Sequence, residues 1–318
     1  MSEEYSILPK DKTASNLAFI SREQSLLEER RICELYEMIS DVIDSAFDLY
    51  PDSADIYGLL SLLSDAPLIR CGELHSQRLE VNSARLTEYL RMNSVIDKAI
   101  LCQLIADRLL ELGFSVSEGD FLPEEKAPET FVYVKNSFAD EAYDVFSQDF
   151  TDPRVRYAEN FKDALRLVTE GEVSYCLLPL EERGGTRLHS IDELIFRADL
   201  KINSVTPVFG FDGSADMKYA LVSGKFSVPP RREGDDRYLE IRISVSGEVS
   251  LGELLSVAEF YKLGIYRVST VNFDTDEGRC PYYSIVFRDE GHEFSLLLIY
   301  LTLFTSSYTP VGVYKNLE

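Results

Sequence analysis

The sequence of 318 residues predicts a multidomain protein of the α+β and α/β classes, built from three parts. Residues 20–113 carry apolar side chains at helical steps of three and four, which predicts an N-terminal helical domain. Strand-like and helix-like runs then alternate as far as residue 223, which predicts a single α/β lobe. The remainder has the ferredoxin-like order β-α-β-β-α-β. The predicted boundaries are 1–114 for the helical domain, 115–130 for a linker, 131–223 for the lobe, 224–236 for a second linker and 237–318 for the C-terminal unit.

The N-terminal domain is predicted to contain four helices. The first covers residues 26–50, two shorter ones cover 54–64 and 83–92, and the fourth covers 95–113. Gly113 is placed to end the fourth helix. Helices without strands predict a small all-α scaffold or a dimerisation bundle.

In the lobe, short β-type runs such as "FVYV" and "VSYCLLPL" alternate with amphipathic helices. Asn160 is placed to cap one helix, and Gly171 to end it. Ser190 precedes a further helix, and Glu193 follows three residues later, which is the spacing of a capping box. The alternation predicts a mostly parallel sheet with helices packed on it.

Composition and charge exclude several classes of protein. The net charge is −23, and so acidic a surface repels phosphate backbones, so we expect no nucleic-acid partner. No run reaches the roughly 18–20 apolar residues of a membrane helix, and the first residues lack a secretory signal pattern. We therefore expect a cytoplasmic protein that does not associate with membranes. The five cysteines are dispersed and there are three histidines, so we expect no disulfide framework, metal site or cofactor.

Two runs in the C-terminal unit carry a resemblance to a known family. In "GELLSVAEFYKLGIYRVSTV" a Gly-x-Leu opens a helix and a Gly-Ile turn leads into the second strand. This pattern resembles that of ACT domains, which are small regulatory folds that bind amino acids. "FRDEGH", followed by a helix and "VGVYKN", is similar to the end of the ACT domain in prephenate dehydratases. Asp289, Gly291 and His292 keep the first motif, and Gly312 and Tyr314 keep part of the second.

The lobe is similar to the same family, and the resemblance covers residues 130–316. "ENFKDALRLVTEGEVSYCLLPLEERGGTRLHSIDEL" resembles a phenylalanine-led helix, a strand ending in Pro-Ile-Glu-Asn-Ser, a glycine-containing loop and an Asp-Leu-Leu helix. "MKYALV" stands where the family has Asn-x-Thr-Arg-Phe. The resemblance implies half of a prephenate dehydratase catalytic domain. That enzyme removes water and carbon dioxide from prephenate and forms phenylpyruvate.

Ser137, Glu181 and Lys218 stand at positions that match catalytic motifs of the family, but the motifs around them have changed. Ser137 stands in "VKNSFAD", where the family has a Gly-Pro-x-Gly-Thr-Phe-Ser turn, and the glycines of that turn are absent. In the motif that the family writes Pro-Ile-Glu-Asn-Ser, Glu182 and Arg183 replace the Asn-Ser pair, and Glu182 adds a second carboxylate. Met217 replaces the threonine whose hydroxyl the family uses as its acid, and lysine in place of arginine loses the bidentate fork.

The family also inserts a whole second lobe where this chain has only "FGFDGSAD". Without that lobe the cleft lacks a second wall, so we expect catalysis to be lost. Arg183 and Arg187 follow the end of a strand, where α/β sheets place their ligands. Two alternatives are open for them: they bind a ligand carboxylate, or they pair with Glu181, Glu182 or Asp192.

The effector site of phenylalanine-responsive ACT domains corresponds to Gly252, Leu254 and Asn272 in this sequence. The Gly-x-Leu turn is kept. Of the family's Glu-Ser-Arg-Pro stretch only a polar side chain remains, at Asn272. The resemblance implies an altered site for an amino acid or carboxylate. It also implies a homodimer formed through the ACT domain, because these domains commonly pair edge to edge and so cover exposed strands.

The sequence therefore predicts a diverged prephenate dehydratase-like ACT protein, a regulatory or amino-acid-sensing module linked to phenylalanine metabolism rather than an enzyme. The alternative is an active prephenate dehydratase, a carbon–oxygen lyase, whose cleft another domain or subunit completes. A remote alternative is chorismate mutase activity in the N-terminal helices, with Arg22, Arg30, Arg78 and Arg85 as the cations.

Overall fold

The structure is a computed structural model with a long N-terminal helix and a large mixed sheet. The helices are α1 (Lys10–Leu49), α2 (Val95–Glu111), α3 (Ser137–Phe146), α4 (Phe161–Thr169), α5 (His189–Arg197), α6 (Leu251–Phe260) and α7 (Ser295–Phe304). The strands are β1 (Thr130–Val134), β2 (Arg154–Ala158), β3 (Tyr175–Glu182), β4 (Thr186–Arg187), β5 (Lys201–Phe209), β6 (Ala215–Ser223), β7 (Arg237–Ser244), β8 (Gly264–Thr275), β9 (Gly278–Arg288) and β10 (Tyr308–Asn316).

The structure describes most of the chain beyond residue 94 and a long stretch before residue 50. The described residues are 10–49, 56, 60, 86, 88, 91, 94–125, 127–209, 215–231, 236–245, 247, 249–275, 278–291, 293–305 and 308–317. The helices predicted over 54–64 and 83–92 lie outside them apart from isolated positions, and His292 lies outside them as well.

The two described N-terminal helices follow local capping rules. α1 begins well ahead of the predicted residue 26 and ends before Pro51. α2 begins after Ser94, whose hydroxyl accepts the backbone N–H of Asp97, and Gly113 follows its end with a φ of +91°. None of the helices in the described part of the chain is long and apolar enough to span a membrane.

All described strands belong to one sheet. Its order is β2-β1-β3-β6-β5-β10-β7-β9-β8, and β4 pairs with the end of β3. β5 of the lobe meets β10 of the C-terminal unit in parallel, with Ser204 opposite Lys315 and Val205 opposite Asn316. The lobe and the C-terminal unit are therefore continuous through strand pairing.

The C-terminal unit has the predicted order of strands and helices. Its strands lie side by side as β10-β7-β9-β8, and each neighbouring pair is antiparallel. This is the ferredoxin-like arrangement, and it confirms the predicted α+β fold class.

The lobe sheet is less parallel than predicted. β1 pairs in parallel with β2 and β3, but β6 is antiparallel to both β3 and β5. The reason is the short connection 210–214, since Phe209 and Ala215 are partners across a hairpin. A parallel pair would need a crossover of about a dozen or more residues.

The described helices pack on the sheet in three groups. α6 and α7 cover one face of the C-terminal unit, α2 packs against both, and α1 packs on α2, so that Ile39, Leu109 and Leu298 belong to one core. α4 and α5 cover one face of the lobe, and α3 covers the other. α5 also reaches the C-terminal unit, because the rings of Phe196 and Phe273 stack with centroids 4.0 Å apart.

Both segments predicted as linkers carry packed residues. Glu118, in a 3₁₀ turn, accepts hydrogen bonds from Arg237 Nη2 at 3.0 Å and from the backbone N–H of Phe294 at 3.2 Å. Phe226, in the second segment, forms a parallel bridge with Glu124 in the first. The domain boundaries themselves stay a prediction.

The N-terminus of α5 differs from the predicted capping box. The helix begins at His189, and Leu188 rather than Ser190 is its N-cap, without a side-chain hydrogen bond. The backbone N–H of Leu188 donates to Leu180 at 3.0 Å, and its carbonyl accepts the N–H of Ile191 at 2.9 Å. This pairing with β3 places the N-cap two residues earlier than predicted. The cap predicted for α4 is confirmed, since the Asn160 side chain accepts the N–H of Asp163.

Candidate functional site

Charged side chains from the lobe and the C-terminal unit meet at the end of β3. We call this group the joint cluster, and it consists of Glu181, Arg187, Asp192, Lys218, Glu240, Arg242 and Arg267. The backbone sets its geometry. Gly184 and Gly185 have φ of +90° and +80°, and these left-handed conformations turn the chain back from β3 into β4. The resulting register pairs Glu181 with Arg187 of β4 on one side and, across a bulge, with Lys218 of β6 on the other.

Glu181 is the centre of the joint cluster. Its side chain is only 5% exposed, and Oε1 lies 2.6 Å from Nη1 of Arg267. Nζ of Lys218 lies 3.6 Å from Oε2, and Nη1 of Arg187 lies 3.8 Å from Oε1. Oε2 accepts no hydrogen bond from the residues that the structure describes. Three cations therefore surround one buried carboxylate.

Arg187 is held inside the protein by a second carboxylate. Its Nη2 lies 2.5 Å from both oxygens of Glu240, and its Nε lies 3.2 Å from Oδ1 of Asp192. Glu240 also accepts hydrogen bonds from the hydroxyls of Tyr314 at 3.1 Å and Ser284 at 3.2 Å. Arg187 is thus paired with Glu240, which the sequence did not suggest, and with Asp192, which it did, and a ligand role for Arg187 stays a prediction.

Burial and charge act against each other in this part of the cluster. Burial works against the charged form of Arg187, but Glu240 and Asp192 outweigh it and raise the pKa. Burial likewise works against the Glu240 carboxylate, yet Arg187 and Arg242 bring its pKa below the ordinary value. For Asp192 burial prevails and the pKa is raised. Glu240 and Arg187 therefore each favour the charged form of the other inside the protein.

Arg242 lies beside the stacked rings of Phe196 and Phe273. Its guanidinium carbon is 5.7 Å from the ring centroid of Phe196 and 5.1 Å from that of Phe273. Burial lowers the pKa of Arg242, although Glu240 and Asp192 favour its charge. Its contacts attach α5 to the sheet of the C-terminal unit.

The space at the joint cluster is small. The cavity that Glu181 and Lys218 share has a volume of about 50 Å³. Its lining is Leu180, Glu181, Val205, Lys218, Tyr238, Tyr266, Tyr314 and Asn316. Nζ of Lys218 hydrogen-bonds the Tyr266 hydroxyl at 3.4 Å across this space.

The other residues predicted from the lobe motifs lie apart from this cavity. Ser137 is exposed as the first residue of α3, and the helix is capped by Asn136, which accepts the N–H of Ala139 at 2.9 Å. Arg183 lies in the turn after β3 with 63% of its side chain exposed, 3.6 Å from Asp216. The structure therefore brings Glu181, Lys218 and Arg187 together but leaves Ser137 and Arg183 outside.

The predicted effector residues occupy three different environments. Leu254 is fully buried in the core beneath α6, so its side chain packs against the protein. Gly252 is exposed in the first turn of α6, and Asn272 is exposed on β8 opposite Pro281. A ligand role for the three stays a prediction.

The remote mutase alternative and the expected absence of metal concern other parts of the chain. Arg30 on α1 pairs with Glu34 one turn away at 3.0 Å, and Arg22 is exposed on the same helix. Arg78 and Arg85 lie outside the described residues. Within the described ranges, no three His, Cys, Asp or Glu side chains are grouped so that they could hold a metal ion.

Sequence reasoning missed Glu240, Arg242 and Arg267. A signal for Glu240 and Arg242 was present in β7, "YLEIRIS", where polar residues alternate with Leu239, Ile241 and Ile243. Alternation normally indicates an exposed polar face, but here α5 covers that face. Arg267 carried no comparable signal, because β8 has polar residues on both faces.

No family model matches this sequence, and no curated protein matches it. Solved structures to which it is similar include prephenate dehydratase from Streptococcus mutans, with 15% identity over 59% of this chain and 99% of that chain and a TM-score of 0.47. Prephenate dehydratase from Arthrobacter aurescens in complex with L-Phe has 13% identity over 58% and 89%, with a TM-score of 0.41. A quorum-quenching acylase has 16% identity over 59% and 96%, with a TM-score of 0.44. Similarity at this level carries no inference about activity.

Proposed function

We propose that this chain is a diverged, non-catalytic relative of prephenate dehydratases, and that it acts as a regulatory or amino-acid-sensing module linked to phenylalanine metabolism. The family relationship rests on the sequence motifs of the lobe and of the C-terminal unit. The observation that carries the non-catalytic part is the small space at the joint cluster, where protein carboxylates already pair with Arg187, Lys218 and Arg267. The residues that match catalytic motifs, Glu181 and Lys218, serve there as structural contacts between the lobe and the C-terminal unit.

The size of the cavity supports this proposal. Pockets that hold small molecules commonly measure about 300–1,000 Å³. The space beside Glu181 and Lys218 measures about 50 Å³, which is room for very few water molecules. Prephenate carries a ring and two carboxylates, so it is much larger than this space.

The charges support it as well. A dianionic substrate needs cations that are available to it, but Arg267 lies 2.6 Å from Glu181 and Arg187 lies 2.5 Å from Glu240. Taking one partner from a buried ion pair costs about 3–5 kcal/mol, because it leaves a charge without compensation. Each substrate carboxylate would therefore compete with a protein carboxylate that is already in place.

The C-terminal unit supports the regulatory part through its edge strand. β8 is the last strand of the sheet, and Ile265, Tyr266 and Val268 on it are exposed. An unpaired apolar edge of this kind favours pairing with a second copy of the chain. We propose a homodimer formed through β8, which analytical ultracentrifugation of the wild type and of Val268→Lys would test. The variant is expected to be the more monomeric protein.

The direct test is turnover of prephenate by the full chain, followed as phenylpyruvate. No rate above the uncatalysed one is expected. Turnover that is lost in Lys218→Ala would overturn the proposal and favour the active dehydratase with a cleft completed by another subunit. A thermal-shift screen of the full chain against the common amino acids tests the sensing role, since at least one of them is expected to raise the melting temperature. If none does, the sensing role is wrong.

A further inference from the structure

A larger cavity lies at the opposite end of the lobe sheet, where β1 and β3 begin and β6 ends. It has two adjoining spaces of about 610 Å³ and about 460 Å³. The residues that line both spaces are Glu124, Asp149, Phe150, Tyr175, Asn203 and Ser227. We call it the strand-start cleft. Its volume lies in the range of small-molecule sites, unlike that of the cavity at the joint cluster.

Asn203 lines this cleft and has a buried acceptor that lacks a donor. The residue is 5% exposed, and its Nδ2 donates to Oγ of Ser223 at 2.8 Å. Oγ of Ser223 uses its one hydrogen for the carbonyl of Lys225 at 2.6 Å and also accepts the backbone N–H of Lys225 at 3.1 Å, so Asn203 has to be the donor in their contact. The amide orientation follows from this chain of bonds. Oδ1 of Asn203 is left buried without a hydrogen bond from any described residue, which is costly unless a ligand donates to it.

Carboxylates give the cleft a negative charge. The side chain of Asp149 makes no hydrogen bond or ion pair with the described residues and lines both spaces. Glu129 accepts the backbone N–H of Thr151 at 2.8 Å and of Asp152 at 2.6 Å through one oxygen, which holds the carboxylate in place at the wall. The net charge of −23 adds a field that attracts cations.

The lysines at the cleft leave most of this charge uncompensated. Lys225 is ion-paired with Glu125, and Lys315 lines only the second space. Glu124 accepts the backbone N–H of Val228 and remains negative. The wall of the first space is therefore negatively charged, and Asn203 with its acceptor Oδ1 is part of that wall.

Aromatic rings form the remaining wall. Phe150 and Tyr175 have ring centroids 5.2 Å apart at an angle of 65°. Phe131 stacks on Tyr175 from behind at 5.3 Å and fixes its orientation. Such rings accept the apolar part of a ligand and attract a cation over their faces.

We propose that the strand-start cleft binds a small organic amine as its ammonium ion. The ammonium donates to Oδ1 of Asn203 and is balanced by Asp149 and Glu129, while the apolar part of the amine packs on Phe150 and Tyr175. A donor is required because the free atom of Asn203 is an acceptor, and a positive charge is required because the wall is anionic. A metal ion fits less well, since the described acidic side chains are not grouped for chelation. The site is independent of the joint cluster and of the function proposed for it.

The test is a titration of the full ¹⁵N-labelled chain with phenethylamine, observed by NMR. Phenethylamine is expected to bind saturably at one site and to shift the side-chain amide signals of Asn203. 2-Phenylethanol has the same shape without the charge, and it is expected not to saturate. Asp149→Asn is expected to weaken phenethylamine binding about tenfold, because hydrogen bonds to charged groups contribute strongly to affinity. Asp149 is exposed, so this variant leaves the fold intact.

The matched control is Glu159→Gln, which removes one exposed negative charge outside the cleft and is expected to leave the affinity unchanged. Asn203→Leu is expected to abolish saturable binding. Equal affinity for 2-phenylethanol, an unchanged affinity in Asp149→Asn, or no saturable binding of phenethylamine would each overturn the proposal. Displacement of phenethylamine by calcium chloride at matched ionic strength would overturn it in favour of a metal site.

Discussion

Arg267 Nη1 lies 2.6 Å from Glu181 Oε1, and this pair joins β8 of the C-terminal unit to the end of β3 in the lobe. Both side chains are largely buried, at 20% and 5% exposure. Arg187 and Glu240 make a second ionic contact across the same boundary. Glu181, which matches a catalytic motif, thus takes part in the ionic contacts between two parts of one sheet.

Arg267→Ala is expected to destabilise the protein by about 2 kcal/mol or more, because it removes the closest partner of a buried carboxylate. Urea unfolding of this variant, of Glu181→Gln and of the double variant forms a thermodynamic cycle. The double variant is expected to lose less than the sum of the two single losses. The control is Arg30→Ala, which breaks an exposed helix pair and is expected to change little. Additive losses in the cycle would show that the pair contributes nothing.

Gly312→Ala is expected to destabilise the junction between β10 and β5. A Cβ atom at this position would lie 2.1 Å from the carbonyl oxygen of Ile202, which is backbone and cannot turn away. Overpacking commonly costs about 1–3 kcal/mol, and we expect a loss at the upper end of that range. The control is Gly224→Ala, where a Cβ meets open space. Similar stability of the two variants in urea would contradict the close approach of the strands.

Glu240 is expected to make the protein sensitive to acid. Its pKa in the fold lies below the ordinary value of 4.5, since Arg187 and Arg242 outweigh the effect of burial. A lowered pKa adds stability above about pH 4.5, and that stability is lost as the pH falls through the lower folded pKa. Asp192, whose pKa is raised, acts in the opposite direction. It is present both in the wild type and in the Glu240→Gln variant with which the wild type is compared.

In the comparison, Glu240→Gln is expected to be less stable than the wild type at neutral pH and to show a flatter decline in acid. Urea unfolding at a series of pH values measures both effects. Parallel pH profiles of the two proteins would mean that Glu240 has the same pKa in the folded and unfolded states.

Thiol labelling tests how α2 packs on the C-terminal unit. Cys33 is exposed, whereas Cys102 and Cys176 are buried, and burial raises the pKa of the Cys102 thiol to about 12. The thiolate is the reactive form, so a thiol reagent at mildly alkaline pH is expected to label Cys33 quickly and Cys102 only on unfolding. Mass spectrometry of digests locates the label. Cys176 in the lobe is the buried reference. Labelling of Cys102 as fast as that of Cys33 would contradict the core that α2 shares with the C-terminal unit.

Local features of the fold could be predicted from sequence, because they depend on neighbouring residues. Asn160 caps α4 through its own side chain, and Gly171, with a φ of +74°, follows the end of that helix. The order of elements in the C-terminal unit follows from strand and helix periodicity. The N-cap of α5 was missed by two residues, because the pairing of Leu188 with Leu180 competes with the capping box expected at Ser190.

Long-range pairing could not be predicted. The parallel contact of β5 with β10 joins residues about a hundred positions apart, and it involves few residue pairs. The motif residues Gly312 and Tyr314 were noticed only as a resemblance. In the structure Gly312 permits the approach of β10 to Ile202, and Tyr314 donates to Glu240. Their roles depend on a strand neighbour that lies far away in the sequence.

The measurement that tests the central claim most directly is calorimetric titration of the full chain with prephenate. If the joint cluster is closed and its charges are satisfied within the protein, no saturable binding is expected, in the wild type or in Lys218→Ala. Saturable binding by the wild type that disappears in Lys218→Ala would show that the cluster opens to a dianionic ligand, and it would contradict a purely structural role for Glu181 and Lys218.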